Sequence, residues 1–127
     1  MLVNSTIWLA RLLFVAVLLM TMITLLTSDL EFLIGKGPTA SDKANHVIVF
    51  YALMVVAVTA FPAWRTWVIG LVLMMFGVGI EIAQSFVGRE FGVIDALANG
   101  LGVLLVLLPL YVAEMRRLLP RGADQKE

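Results

Sequence analysis

Residues 77–102 read GVGIEIAQSFVGREFGVIDALANGLG. An acid, an amide, a base, a second acid and a second amide (Glu81, Gln84, Arg89, Asp95 and Asn99) are set here among apolar residues and glycines. Gly70, Gly77, Glu81 and Gln84 follow steps of seven, four and three, which lines them along one side of a helix. Asp95, Asn99, Gly102 and Val106 do the same on a second helix. Between the two lies a short loop over 88–93. The stretch therefore predicts a helical hairpin, with polar groups near the end of one helix and the start of the next.

The flanks say which solvent that hairpin occupies. The chain has 127 residues, 61% of them hydrophobic and only 14% charged, with a mean hydropathy of +1.01. A soluble domain is nearer half apolar and a quarter charged, and so short a chain cannot bury this much apolar surface in a water-facing globule. Long apolar runs broken by short polar segments imply a multi-pass membrane protein. The expected fold is all-α: one domain over 1–127, four transmembrane helices in an antiparallel bundle, near 7–26, 44–61, 68–87 and 94–112, and a polar tail over 114–127. The first run lacks basic residues ahead of it and a small-residue cleavage site behind it, so it reads as a retained helix rather than a signal peptide. Ser41 or Asp42 is expected to cap the second helix. Trp64 and Trp67 look like an interfacial belt, with Arg65 as a headgroup contact. Pro109 is expected to bend or loosen the last turn of the fourth helix.

Zero formal net charge removes the case for a nucleic-acid-binding surface. The absence of cysteine excludes disulfides and thiolate chemistry, and a single histidine, His46, argues against a zinc site. No metal and no cofactor are expected. In a four-span topology Arg11, Arg65, Arg116, Arg117, Arg121 and Lys126 share one side, and Lys36, Lys43 and Arg89 the other. Cytoplasmic segments carry the Lys/Arg excess, so both termini are expected in the cytoplasm.

A third stripe, Lys43, His46, Phe50, Leu53 and Ala57, belongs to the second helix. Alternating helix direction brings Lys43, His46, Glu81, Gln84, Arg89, Asp95 and Asn99 to one membrane face, the outer one by the charge bias. Glu81 lies about 9 Å inside the predicted end of its helix. A carboxylate deep in lipid costs about 2.5–3.5 kcal/mol, so it should face protein or trapped water, with Lys43, His46 or Arg89 as partner. Each residue has a structural alternative: Glu81 as an inter-helix strut, His46 as a hydrogen-bond donor and nothing more, Asp95 as a helix cap, Asn99 as an inter-helix hydrogen bond, Lys43 and Arg89 as snorkelling cations. Gly77, Gly79, Gly100, Gly102 and Ala96 are expected to permit close helix contact.

The ordered set Asp42-Lys43-x-x-His46-x-x-x-x-Tyr51, Glu81-x-x-Gln84 and Arg89-x-Phe91-x-x-x-Asp95-x-x-x-Asn99-x-x-Gly102 resembles the VanZ-like family of small bacterial membrane proteins. The resemblance covers roughly residues 41–107 and implies about four spanning helices, in a bacterial cytoplasmic membrane. It also implies that Lys43, His46, Glu81, Gln84, Arg89, Asp95 and Asn99 occupy the family's motif positions. The founding member is linked to lowered susceptibility to the glycopeptide teicoplanin. Three functions follow as expectations. The first is a non-enzymatic envelope protein whose outward polar pocket binds or shields a lipid-linked cell-wall component or lipid headgroup, with Lys43 and Arg89 meeting the anion. The second is an intramembrane enzyme using Glu81 or His46 as acid–base catalyst, for which the sequence offers no credible nucleophile: Ser85 lies one turn after Glu81, but no base–orienter pair is evident. The third, ranked below both, is a proton-coupled exporter, because the polar residues lie toward one end rather than mid-membrane. Self-association into a homo-oligomer is left open.

Overall fold

A computed structural model describes residues 2–27, 40–86 and 91–119. It contains four helices, α1 (Leu2–Thr27), α2 (Ala40–Ala60), α3 (Thr66–Phe86) and α4 (Val93–Leu118), and no strand among the described residues. All four are long and apolar enough to cross a membrane. The chain is an all-α, multi-pass membrane protein, as its composition requires. The outer surface is correspondingly apolar: Phe86 is 85% exposed, Met20 70%, Leu97 67% and Leu12 66%. Patches of that kind are liabilities in water and ordinary against lipid tails. Thr21 and Thr59 return their hydroxyls to the Val17 and Val55 carbonyls, at 2.8 and 2.9 Å, so neither brings an unsatisfied donor to the hydrocarbon.

The bundle is centred on α2 and α4, which share its most extensive interface; α1 packs on α2, and α3 on α4. Asn99 meets His46, while Gly102, one turn further on, meets Val47 and Tyr51, so α2 and α4 run in the same direction. Gly77 of α3 lies against Asn99, and Gly70 against Val103 and Leu107, which makes α3 antiparallel to α4. The core between them is Phe50, Leu53, Met54 and Ala57 of α2, Ile69, Leu73 and Ile80 of α3, and Val103 of α4.

Several local expectations are corrected. Helix α2 begins at Ala40, so Ser41 and Asp42 fall inside its first turn rather than capping it. Helix α4 continues through Pro109 to Leu118, past its expected end near 112. Proline removes one backbone hydrogen bond, but the following Ala113-Glu-Met-Arg-Arg-Leu118 is rich in good helix formers. Arg116 and Arg117 also lie at the negative end of the helix dipole. Gly79 and Gly100 face open space, whereas Gly70, Gly77 and Gly102 do permit close contact.

At the end of the bundle away from Asn99, α2 and α3 are joined by a tight turn, with Trp64 N–H donating to the Phe61 carbonyl at 3.0 Å. Trp64 and Trp67 are both more than half exposed there, as an interfacial belt would be. Arg11 does more than snorkel. Its Nε donates to the Ala60 carbonyl at 3.3 Å, satisfying a helix C-terminus, and its guanidinium lies 5.2 Å from the Trp8 ring and 5.9 Å from Phe61. Phe14 meets Phe61 edge-on at 5.4 Å beside it. Arg11→Gln should lower stability by about 1–2 kcal/mol, mainly by loosening α1 from the α2–α3 turn. Thermal unfolding of the purified protein in detergent measures this, and an unchanged midpoint would remove Arg11 from the packing.

Candidate functional site

At the opposite end the interior becomes polar. His46, Glu81, Gln84 and Asn99 are 2%, 1%, 5% and 1% exposed, with His46 on α2, Glu81 and Gln84 on α3 and Asn99 on α4. The helical period puts them there: His46 shares a face with Phe50, Leu53 and Ala57, while Glu81 and Gln84 share one with Gly70, Leu73 and Gly77. Glycine makes the approach possible. A Cβ on Gly77 would lie 3.1 Å from both Asn99 Cβ and Phe50 Cε1, so a side chain there would require these neighbours to shift by a few tenths of an ångström.

His46 Nδ1 lies 2.9 Å from Asn99 Oδ1, a hydrogen bond in which a protonated Nδ1 donates to the amide oxygen. The same nitrogen is 4.0 Å from Glu81 Oε1. Asn99 Nδ2, though buried, has no hydrogen-bond partner among the described residues. Asp95 is half-buried at the rim. One ligating atom each from His46, Glu81 and Asp95 all lie within 4.8 Å of one another. The residue before α4 explains how the two carboxylates meet. A Cβ on Gly92 would stand 2.5 Å from Asp95 Oδ2 and 3.0 Å from Glu81 Oε2. No role for Gly92 was visible in the sequence; a glycine abutting the predicted start of a helix was the only signal available.

The seven candidate residues divide. His46, Glu81, Asp95 and Asn99 converge, and Gln84 is buried one turn from Glu81 on the same face of α3. Lys43 is exposed, one turn outside His46 on α2, and Arg89 lies outside the described residues. Asp95 does not cap α4: Gly92 holds the N-cap position without a side-chain cap bond, and Asp95 sits in the first turn. Its carboxylate is still near the positive end of the helix dipole. Ser85 is exposed and gives its hydroxyl to the Ile82 carbonyl at 2.6 Å, so it is not part of the cluster. The fold sets two carboxylates and an amide oxygen beside the one imidazole.

Two further cavities lie elsewhere. One of about 550 Å³ is lined by Trp64, Arg65, Trp67, Tyr111 and Glu114 at the far end of the bundle, and one of about 520 Å³ is an apolar groove between α3 and α4. From the cluster toward that far end the buried interior is the apolar core of Leu53, Met54, Ala57, Ile69, Leu73 and Val103.

Fold and site together define a class: a four-span membrane protein with a buried His–Asn–carboxylate cluster near one end of its bundle. Comparison of the chain with protein-family models, with curated proteins and with solved structures finds no match.

Proposed function

We propose that the chain is a VanZ-like protein of the bacterial cytoplasmic membrane with both termini in the cytoplasm. Its polar bundle end faces outward and binds or shields a lipid-linked cell-wall component or lipid headgroup. The observation that carries this reading is the burial of His46, Glu81, Gln84 and Asn99 together beneath a half-exposed Asp95. Ionisable groups inside a membrane are costly and are retained mainly where they act. Lys43, exposed one turn out, and Arg89 supply cationic contacts for a phosphate or carboxylate. The orientation follows from charge: Arg11 touches the α2 C-terminus beside the turn that holds Arg65, and the Arg65-lined cavity also touches Glu114 and Leu118 of α4, next to Arg116 and Arg117. The apolar core beyond the cluster keeps a proton-coupled exporter below this reading.

A second reading, an intramembrane enzyme with Glu81 or His46 as acid–base group, gains one specific support. Asn99 orients the His46 ring, the base–orienter pair that such chemistry needs. The experiment is complementation of a deletion strain with wild type or Lys43→Ala plus Arg89→Ala, scored against teicoplanin and other cell-wall antibiotics, with lipids co-purifying with each protein identified by mass spectrometry. The double variant should lose the phenotype and the enriched anionic lipid. Retention of both overturns the headgroup reading, and turnover of labelled cell-wall lipid by purified wild type would install the enzyme reading instead.

A further inference from the structure

We infer that His46, Glu81, Asp95 and Asn99 form a binding site for one divalent cation of the Mn²⁺, Fe²⁺ or Zn²⁺ kind. Three lines of geometry converge on it. First, the ligating atoms of His46, Glu81 and Asp95 lie within 4.8 Å of one another. Metal–ligand bonds of about 2.0–2.2 Å place two adjacent ligands about 3 Å apart, so side-chain shifts of about an ångström bring a set this close into coordination. Second, the 2.9 Å between His46 Nδ1 and Asn99 Oδ1 serves a hydrogen bond, and it is equally the spacing of two adjacent ligands on one ion. Third, Asn99 is 1% exposed and meets His46 through its oxygen while its Nδ2 has no hydrogen-bond partner among the described residues. With its oxygen turned to the imidazole, the buried amide presents there the atom that a hard or borderline cation takes.

Electrostatics points the same way. Glu81 is buried in a spanning helix and Asp95 starts the next, with carboxylate oxygens of both converging on the space over Gly92. Two carboxylates this close repel, and a divalent ion between them lowers that repulsion, being the largest local charge itself. One imidazole nitrogen with carboxylate and amide oxygens is a donor set for borderline and hard cations rather than thiophilic ones. Asp95, half-exposed, leaves the ion a route from water. The site stands independently of any lipid ligand.

The test is titration of full-length, EDTA-stripped protein in detergent with Mn²⁺, read as loss of the free-ion electron paramagnetic resonance signal, with Zn²⁺ as competitor. Wild type should take up one Mn²⁺ per chain, displaceable by Zn²⁺, and its unfolding midpoint should rise with Mn²⁺. Glu81→Gln and Asp95→Asn should each weaken uptake by at least about 10-fold, and Asn99→Ala by about 10–100-fold. Asp95→Asn lies at the rim and keeps the test decisive if the buried variants fail to fold. No saturable uptake by wild type, or equal uptake by folded Asp95→Asn, overturns the inference.

Discussion

Gly102→Ala should separate α2 from α4 and destabilise the bundle by about 2–3 kcal/mol, whereas Gly100→Ala, two residues away, should leave it as stable or slightly more so. A Cβ on Gly102 would overlap the Val47 carbonyl oxygen and stand 2.9 Å from Tyr51 N and 3.0 Å from Phe50 Cβ. Two of those neighbours are backbone, which cannot rotate away, so the helices themselves must move; overpacking of this kind costs about 1–3 kcal/mol, and backbone obstruction puts it at the upper end. The displacement would fall one turn from Asn99, so the 2.9 Å contact with His46 should lengthen with it. At Gly100 the added methyl meets nothing within 4 Å, and relief of glycine's backbone entropy is worth up to about 0.5–1 kcal/mol. Unfolding of both variants in the same detergent decides it. Equal stabilities would mean that α2 and α4 do not meet at Gly102.

That contrast also shows what a sequence can and cannot say about this fold. Helix number and the buried face of each helix were legible, because lipid demands long apolar spans and the 3.6-residue period assigns faces. Treating Gly77, Gly79, Gly100 and Gly102 alike was the avoidable error. Residues two apart point about 200° apart on a helix, so each pair could have only one member at a contact. The ends of α1 and α4 were harder. Hydropathy falls before hydrogen bonding does, and Glu114 to Leu118 is polar enough to look like tail while remaining helix. Least legible was the pairing of His46 with Asn99, which depends on α2 and α4 being parallel neighbours. Topology put both at one membrane face, but no local pattern says which helices touch. Asp95 was ambiguous for a related reason: a first-turn aspartate reads as a cap until Gly92 is seen to hold that position.

Glu81→Gln should leave the protein folded, within about 1 kcal/mol of wild type, yet reduce complementation of a deletion strain to the level of the empty vector. The two parts of that expectation pull against each other in a useful way. Glu81 is 1% exposed on a spanning helix, and holding an ionised carboxylate at such a buried position carries a desolvation cost. Glutamine keeps the length and shape of the side chain, can still hydrogen-bond to its neighbours, and lacks most of that cost. If Glu81 were only a hydrogen-bonding strut between helices, glutamine would therefore serve as well, since it keeps the length, shape and hydrogen-bonding capacity of the side chain. Retaining the charge makes sense where a proton, a cation or a cationic ligand must be met. A stable Glu81→Gln protein that fails to complement thus assigns the carboxylate to function. A stable one that complements at wild-type level reduces the whole polar end, His46 and Asn99 included, to packing.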